Sequence, residues 1–89
     1  MSNLDLLGHI ERTLHSVRQG HLTSSEGAQR VERCLDQLTG LPADAAGELH
    51  GVVRELRRMR WDGGGDYAAA LDALSARVES IGASVNGRG

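Results

Sequence analysis

Apolar residues return at steps of three and four along four separate segments, and glycine stands at each break between them. That rhythm gives each segment one apolar stripe in a helix, where residues three and four apart share a face. A half-buried strand would alternate at a step of two. The chain has one Trp, one Tyr and no Phe, so Leu, Val, Ile, Ala and Met must fill the interior, a set that suits helix packing better than sheets. The sequence therefore predicts an all-α protein. Two arrangements satisfy the pattern: a small antiparallel four-helix bundle, or two helical hairpins exchanged between the protomers of a dimer.

Along the first segment, Leu4, Leu7, Ile10, Leu14 and Val17 predict a helix over about 3–19, capped by Ser2 or Asn3 and closed by Gly20. Thr23 and Glu26 have the spacing of a capping box and open a second helix over about 24–39. Its stripe is Ala28, Val31, Leu35 and Leu38, with Cys34 beside it and Gly40 at its end. Glu26 and Arg30 are placed as an i,i+4 pair. Pro42 is preset for the first turn of a third helix, over about 42–60. After the cluster Gly63-Gly64-Gly65, Asp66 is the expected cap of a fourth helix over about 66–84. Leu71, Leu74, Val78 and Ile81 form its stripe, extended by Tyr67 and Val85, and its many alanines permit close approach to a neighbour. Residues 1–85 make one domain, with 86–89 a flexible tail.

The third helix carries the most information about function. Ala45, Leu49, Val52, Val53, Leu56 and Met59 fall on one side of its wheel; His50, Arg54, Arg57, Arg58 and Trp61 fall on the next; Asp44, Glu48 and Glu55 complete it. Guanidinium groups pair bidentately with carboxylates and phosphates, and a tryptophan beside them is a typical anchor of a contact surface. The bland reading is a solvated face whose positive charge suits the helix C-terminus, with Trp61 plugging the bundle end. Ala43, Gly47 and Gly51 line up at steps of four as a groove beside this face. Interior glycines, here Gly8, Gly27, Gly47 and Gly51, weaken a helix unless another backbone comes close. In so small a domain they favour a dimer or a complex.

Composition removes other classes. The net charge is −2 and all ten basic side chains other than histidine are Arg, so there is no global pull toward nucleic acid. The Arg, Gly and Ala bias fits a GC-rich, bacterial coding sequence. One cysteine forbids an internal disulfide, and Cys34 reads as a small hydrophobe. His9, His15, His21 and His50 lack the spacing of metal ligands, and Glu11 with His15 is a surface pair. Asp62 to Asp66 has neither a phosphate-loop nor a calcium-loop pattern. With no nucleophile–base or acid–base pair, no enzymatic activity, cofactor or metal is expected. No secretory signal or membrane span is read, and a cytoplasmic location is the default.

The expectation is a small protein-binding module: an adaptor, chaperone or inhibitor of a larger protein. Its contact surface would be His50, Arg54, Arg57, Arg58 and Trp61. The partner would present an acidic surface, in a homodimer or a hetero-complex. The alternative is a nucleic-acid- or polyanion-binding regulator using the same arginines. A helix-turn-helix reader fits poorly, because Pro42 to Gly47, where base contacts belong, is acidic and small. Trp61-Asp62-Gly63 between helices also resembles the Trp-x-Gly turn of the WXG100 family, which implies a secreted helical hairpin that pairs as a dimer. The chain departs from that pattern at Gly40-Leu41-Pro42, which breaks the first long helix. It departs again at Leu71, which stands four residues after Tyr67 where the export signal has an acid.

Overall fold

The structure, a computed structural model, describes residues 2–59 and 65–87. Four helices follow in order: α1 (Asn3–Arg18), α2 (Ser24–Gln37), α3 (Ala43–Arg58) and α4 (Gly65–Gly87). They form the four-helix bundle that the periodicity predicts. Within one chain all four apolar stripes meet in a single core, so burying them requires no exchange of hairpins.

Local chemistry sets most of the boundaries. Ser2, not Asn3, caps α1, and its side chain forms a capping box with Asp5. Asn3 is freed to tie the start of α1 to the end of α2: its Nδ2 donates to the Thr39 carbonyl at 2.6 Å and its Oδ1 accepts from the Thr39 amide at 3.3 Å. Thr23 and Glu26 form the expected capping box on α2, with both bonds at 3.1 Å. Gly20 closes α1 at φ 84°. The His21 amide reaches back to the Ser16 carbonyl at 2.9 Å and the Gly20 amide to that of Val17 at 3.1 Å, the paired bonds of a Schellman turn.

The next two helix ends differ from the sequence reading. α2 stops at Gln37, not near 39, because Leu38 is extended (φ −71°, ψ 136°). Gly40 does take a left-handed φ of 68°, but inside the connection and not as the residue that closes the helix. α3 stops at Arg58, where Met59 is extended (φ −69°, ψ 137°), before the glycine cluster is reached. Leu38 and Met59 are both half-buried against the core, and leaving the helix is what turns each side chain back onto it. The Ser24 hydroxyl donates to the Met59 carbonyl at 3.1 Å and fixes that corner.

Two smaller differences follow the same logic. Pro42 is the N-cap of α3 rather than its first residue, and it contributes no side-chain capping bond. Asp66 lies in the first turn of α4, not at its cap, where a carboxylate is still favoured by the helix dipole. α4 also runs on to Gly87, through positions expected to end the helix and begin a tail. Gly82, inside it, has no positive φ: glycine permits a break without enforcing one.

The core is built from one stripe per helix. Leu6, Ile10 and Leu14 of α1 meet Val31 of α2, Leu49 and Leu56 of α3, and Leu71 and Val78 of α4. On α2 the buried line is Gly27, Ala28, Val31 and Cys34, while Leu35 and Leu38 are half-buried. Cys34 thus stands in the stripe and not beside it. α1 packs closely along both α2 and α4, and α2 along α3, whereas α3 and α4 approach each other at few places. All neighbours are antiparallel, as the Arg18–Asp72 and Ser24–Met59 contacts require. The bundle is therefore tight on three sides and loose on the fourth.

Candidate protein-binding face

α3 places its three sides as the wheel predicts. Leu49, Val52, Val53 and Leu56 are buried, and Ala45 and Met59 are half-buried at the ends of the stripe. His50, Arg54, Arg57 and Arg58 are exposed. Trp61 and Arg60 lie outside the described residues, as does the Trp61-Asp62-Gly63 motif. The four described members of the candidate face therefore share one side of one helix.

They are not equivalent. Arg57 reaches across to α2, where its guanidinium donates to the Glu32 carboxylate. Arg58 sits 3.9 Å from Glu55 on its own helix, with its side chain 74% exposed, so that pair is weak. Arg54 and His50 make no ion pair among the described residues. The free positive charge on this face is centred on Arg54, with Arg58 close to free and Arg57 already matched.

The acidic side of the helix turns the other way. Asp44 and Glu48, with Pro42 and Ala45, line a cleft of about 160 Å³ against Ser80, Ile81, Ser84 and Val85 of α4. The α3 surface thus runs from acidic at the α4 seam to basic toward α2. Between them lie Ala43, Gly47 and Gly51. A methyl group built at Gly47 would meet nothing within 4 Å, and at Gly51 only the Arg77 guanidinium at 3.9 Å. The groove expected there is open: no backbone among the described residues uses it. Gly8 is equally open, and only Gly27 makes a close approach, 2.5 Å from a Val17 methyl.

Other expected features resolve plainly. Glu11 and His15 form no ion pair among the described residues, because Glu11 lies toward α4, near Glu79 and Gly82. Among the described residues no group of three His, Cys, Asp or Glu side chains converges as a metal site. Burial pushes the Cys34 thiol above its ordinary value, which removes thiolate character at neutral pH. The alanines of α4 divide: Ala68 and Ala70 are half-buried, whereas Ala69, Ala73 and Ala76 face solvent.

Sequence reasoning missed one assembly. His9 and Thr13 of α1 and Arg30, Arg33, Cys34 and Gln37 of α2 line a groove of about 210 Å³. Their positions, two turns on each of two helices, converge only once α1 and α2 are set antiparallel. A wheel drawn one helix at a time cannot reveal that.

No helix among the described residues is long and apolar enough to cross a membrane. No family model, no curated protein and no solved structure matches the chain.

Proposed function

We propose that the protein is a small binding module, an adaptor, chaperone or inhibitor that docks an acidic surface of a larger protein on the outer face of α3. The observation that carries this reading is the exposed, unmatched pair His50 and Arg54 beside an open Gly47–Gly51 groove, flanked by Arg58. Glycine inside an exposed helix costs about 1 kcal/mol relative to alanine, and neither Gly47 nor Gly8 is repaid by packing in the isolated chain. A partner helix seated over Gly47 would make use of the space. The acidic strip along the α4 seam restricts the register in which such a partner fits, since like charges set opposite each other are repelled.

Affinity capture from the native cell, followed by mass spectrometry, is the test. The proteins retained by the wild type should be lost with Arg54→Glu/Arg57→Glu/Arg58→Glu and reduced with Arg54→Glu alone. The single exchange leaves the Arg57–Glu32 pair intact, so it reports on the surface and not on the bundle. Retention of the same proteins by both variants removes this face from consideration. Binding of nucleic acid or another polyanion through the same arginines is less well supported, because the acidic strip of Asp44 and Glu48 on the same helix repels an extended polyanion. That reading requires affinity that falls steeply with salt. A homodimer is the alternative to such a hetero-complex, and solution mass of the isolated protein by light scattering tests for it.

A further inference from the structure

We infer that the groove between α1 and α2 is a binding site for the phosphate group of a small molecule, held by Arg30 and Arg33 with His9 and Arg12 at its edge. The groove is lined by His9, Thr13, Arg30, Arg33, Cys34 and Gln37, and none of these is a carboxylate. Arg12 is outside the lining but next to it, with its Nη2 at a hydrogen-bond distance of 3.4 Å from His9 Nδ1. If Nδ1 accepts that bond, the His9 proton is on Nε2, which is then a donor. Among the described residues neither Arg12, Arg30 nor Arg33 makes an ion pair.

For His9 and Arg30, the acids one turn away are engaged in the helix caps. Asp5, four residues before His9, accepts from the Ser2 amide in the capping box of α1. Glu26, four residues before Arg30, accepts from the Thr23 amide in that of α2. Because α1 and α2 are antiparallel, these two acids sit at opposite ends of the groove, each drawn toward its own helix N-terminus. Arg30 is felt at Glu26 as charge without contact. Asp36, one turn beyond Arg33, makes no ion pair with it. The groove lining is therefore basic, with two cap-bound carboxylates at its ends and Asp36 outside it.

The floor suits an anion as well. Cys34 is 7% exposed, and burial raises its thiol, so it adds no negative charge. Arg30 and Arg33, three residues apart on one side of α2, both line the groove, and each guanidinium can pair bidentately with phosphate oxygens. Size narrows the ligand further. Pockets for whole drug-sized molecules span about 300–1,000 Å³, and this groove, at about 210 Å³, is below that range. A group the size of a phosphate fits within that volume.

Amide chemical shifts recorded during titration with inorganic phosphate, and separately with sodium chloride at matched ionic strength, test the assignment. Phosphate should give saturable shifts confined to residues 9–13 and 30–37. Arg30→Gln/Arg33→Gln should weaken that binding about tenfold or more, and Arg33→Gln alone by less. Arg77→Gln, on α4, should leave it unchanged. Both groove arginines are exposed, so their loss does not threaten the fold. Identical shifts with chloride, shifts that never saturate, or undiminished affinity in the double variant would each overturn the assignment.

Discussion

Four glycines that look alike in sequence have different consequences at the scale of single residues. Gly27 is the one whose hydrogen the packing needs, because a methyl group there would stand 2.5 Å from a Val17 methyl. Gly27→Ala should destabilise the protein by about 1–3 kcal/mol through overpacking, despite the gain in helix propensity. Gly8→Ala and Gly47→Ala meet open space at helical backbone angles and should each stabilise it by about 0.5–1 kcal/mol. Urea unfolding of the three variants checks the order, and Gly8 or Gly47 falling with Gly27 would contradict it. The Gly47 variant carries a second expectation: a more stable free protein that captures its partner less well. Cys34 gives an independent residue-level readout. Its buried thiol should react slowly with a disulfide reagent near neutral pH, and the rate should rise in denaturant in step with the loss of helical signal.

At the scale of the element, caps and charges determine how each helix begins. Thr23→Ala removes the side chain that accepts the Glu26 amide and should cost about 1 kcal/mol. Its partner Glu26 supplies a pH dependence of known sign. The bonds from Thr23, backbone first and then side chain, with a contribution from Arg30, hold the Glu26 carboxyl below its usual value of 4.5. A depressed carboxyl adds stability that is full above the unfolded-state pKa and is lost as pH falls through the folded one. Acid unfolding of Glu26→Gln should therefore lack part of the wild type's drop in stability below about pH 4.5, with the two profiles parallel above it. Arg18 and Asp72, which join α1 to α4 through bonds of 2.6 and 3.3 Å, are 45% and 58% exposed. A double-mutant cycle on that pair should give no more than about 1 kcal/mol. The helices themselves were legible in the sequence because their stripes, boxes and Gly20 are local signals. The ends at Leu38 and Met59 were not, since each depends on a core assembled by other helices.

For the molecule as a whole, the fold class followed from periodicity, but the order of tightness around the bundle did not. The loose α3–α4 seam and the outward-facing alanines of α4 are set by which stripes pair, and a stripe does not name its neighbour. The α3 face was half legible: its four described residues do share one side, yet Arg57 proved to be paired with Glu32 on another helix. The α1–α2 groove was not legible at all, because its six lining residues come from two helices and Asp5 and Glu26 appear, in sequence, well placed to neutralise it. The proposed groove lies between α1 and α2 and the proposed docking face on α3, so the two share no residue. Phosphate in the α1–α2 groove should leave capture of the α3 partner unchanged, as checked by repeating the capture in phosphate and in chloride at matched ionic strength.

The loose fourth side has a consequence for the order in which the chain could be written. Leu4 and Gly8 of α1 lie beside Gly82 and Ala83 of α4, so a short linker would join the end of α4 to the start of α1. Cutting the connection at 60–64 would then produce a chain reading α4, α1, α2, α3, with each of the three tight seams between consecutive helices. The α1–α4 pairing, which now spans 54 residues at Arg18 and Asp72, would become a local hairpin. Lower contact order speeds folding. The rearranged protein should keep the helical content of the original and refold faster in stopped-flow measurements. A slower or failed refolding would show that the order of α3 before α4 matters more to the fold than the sparse contacts between these two helices indicate.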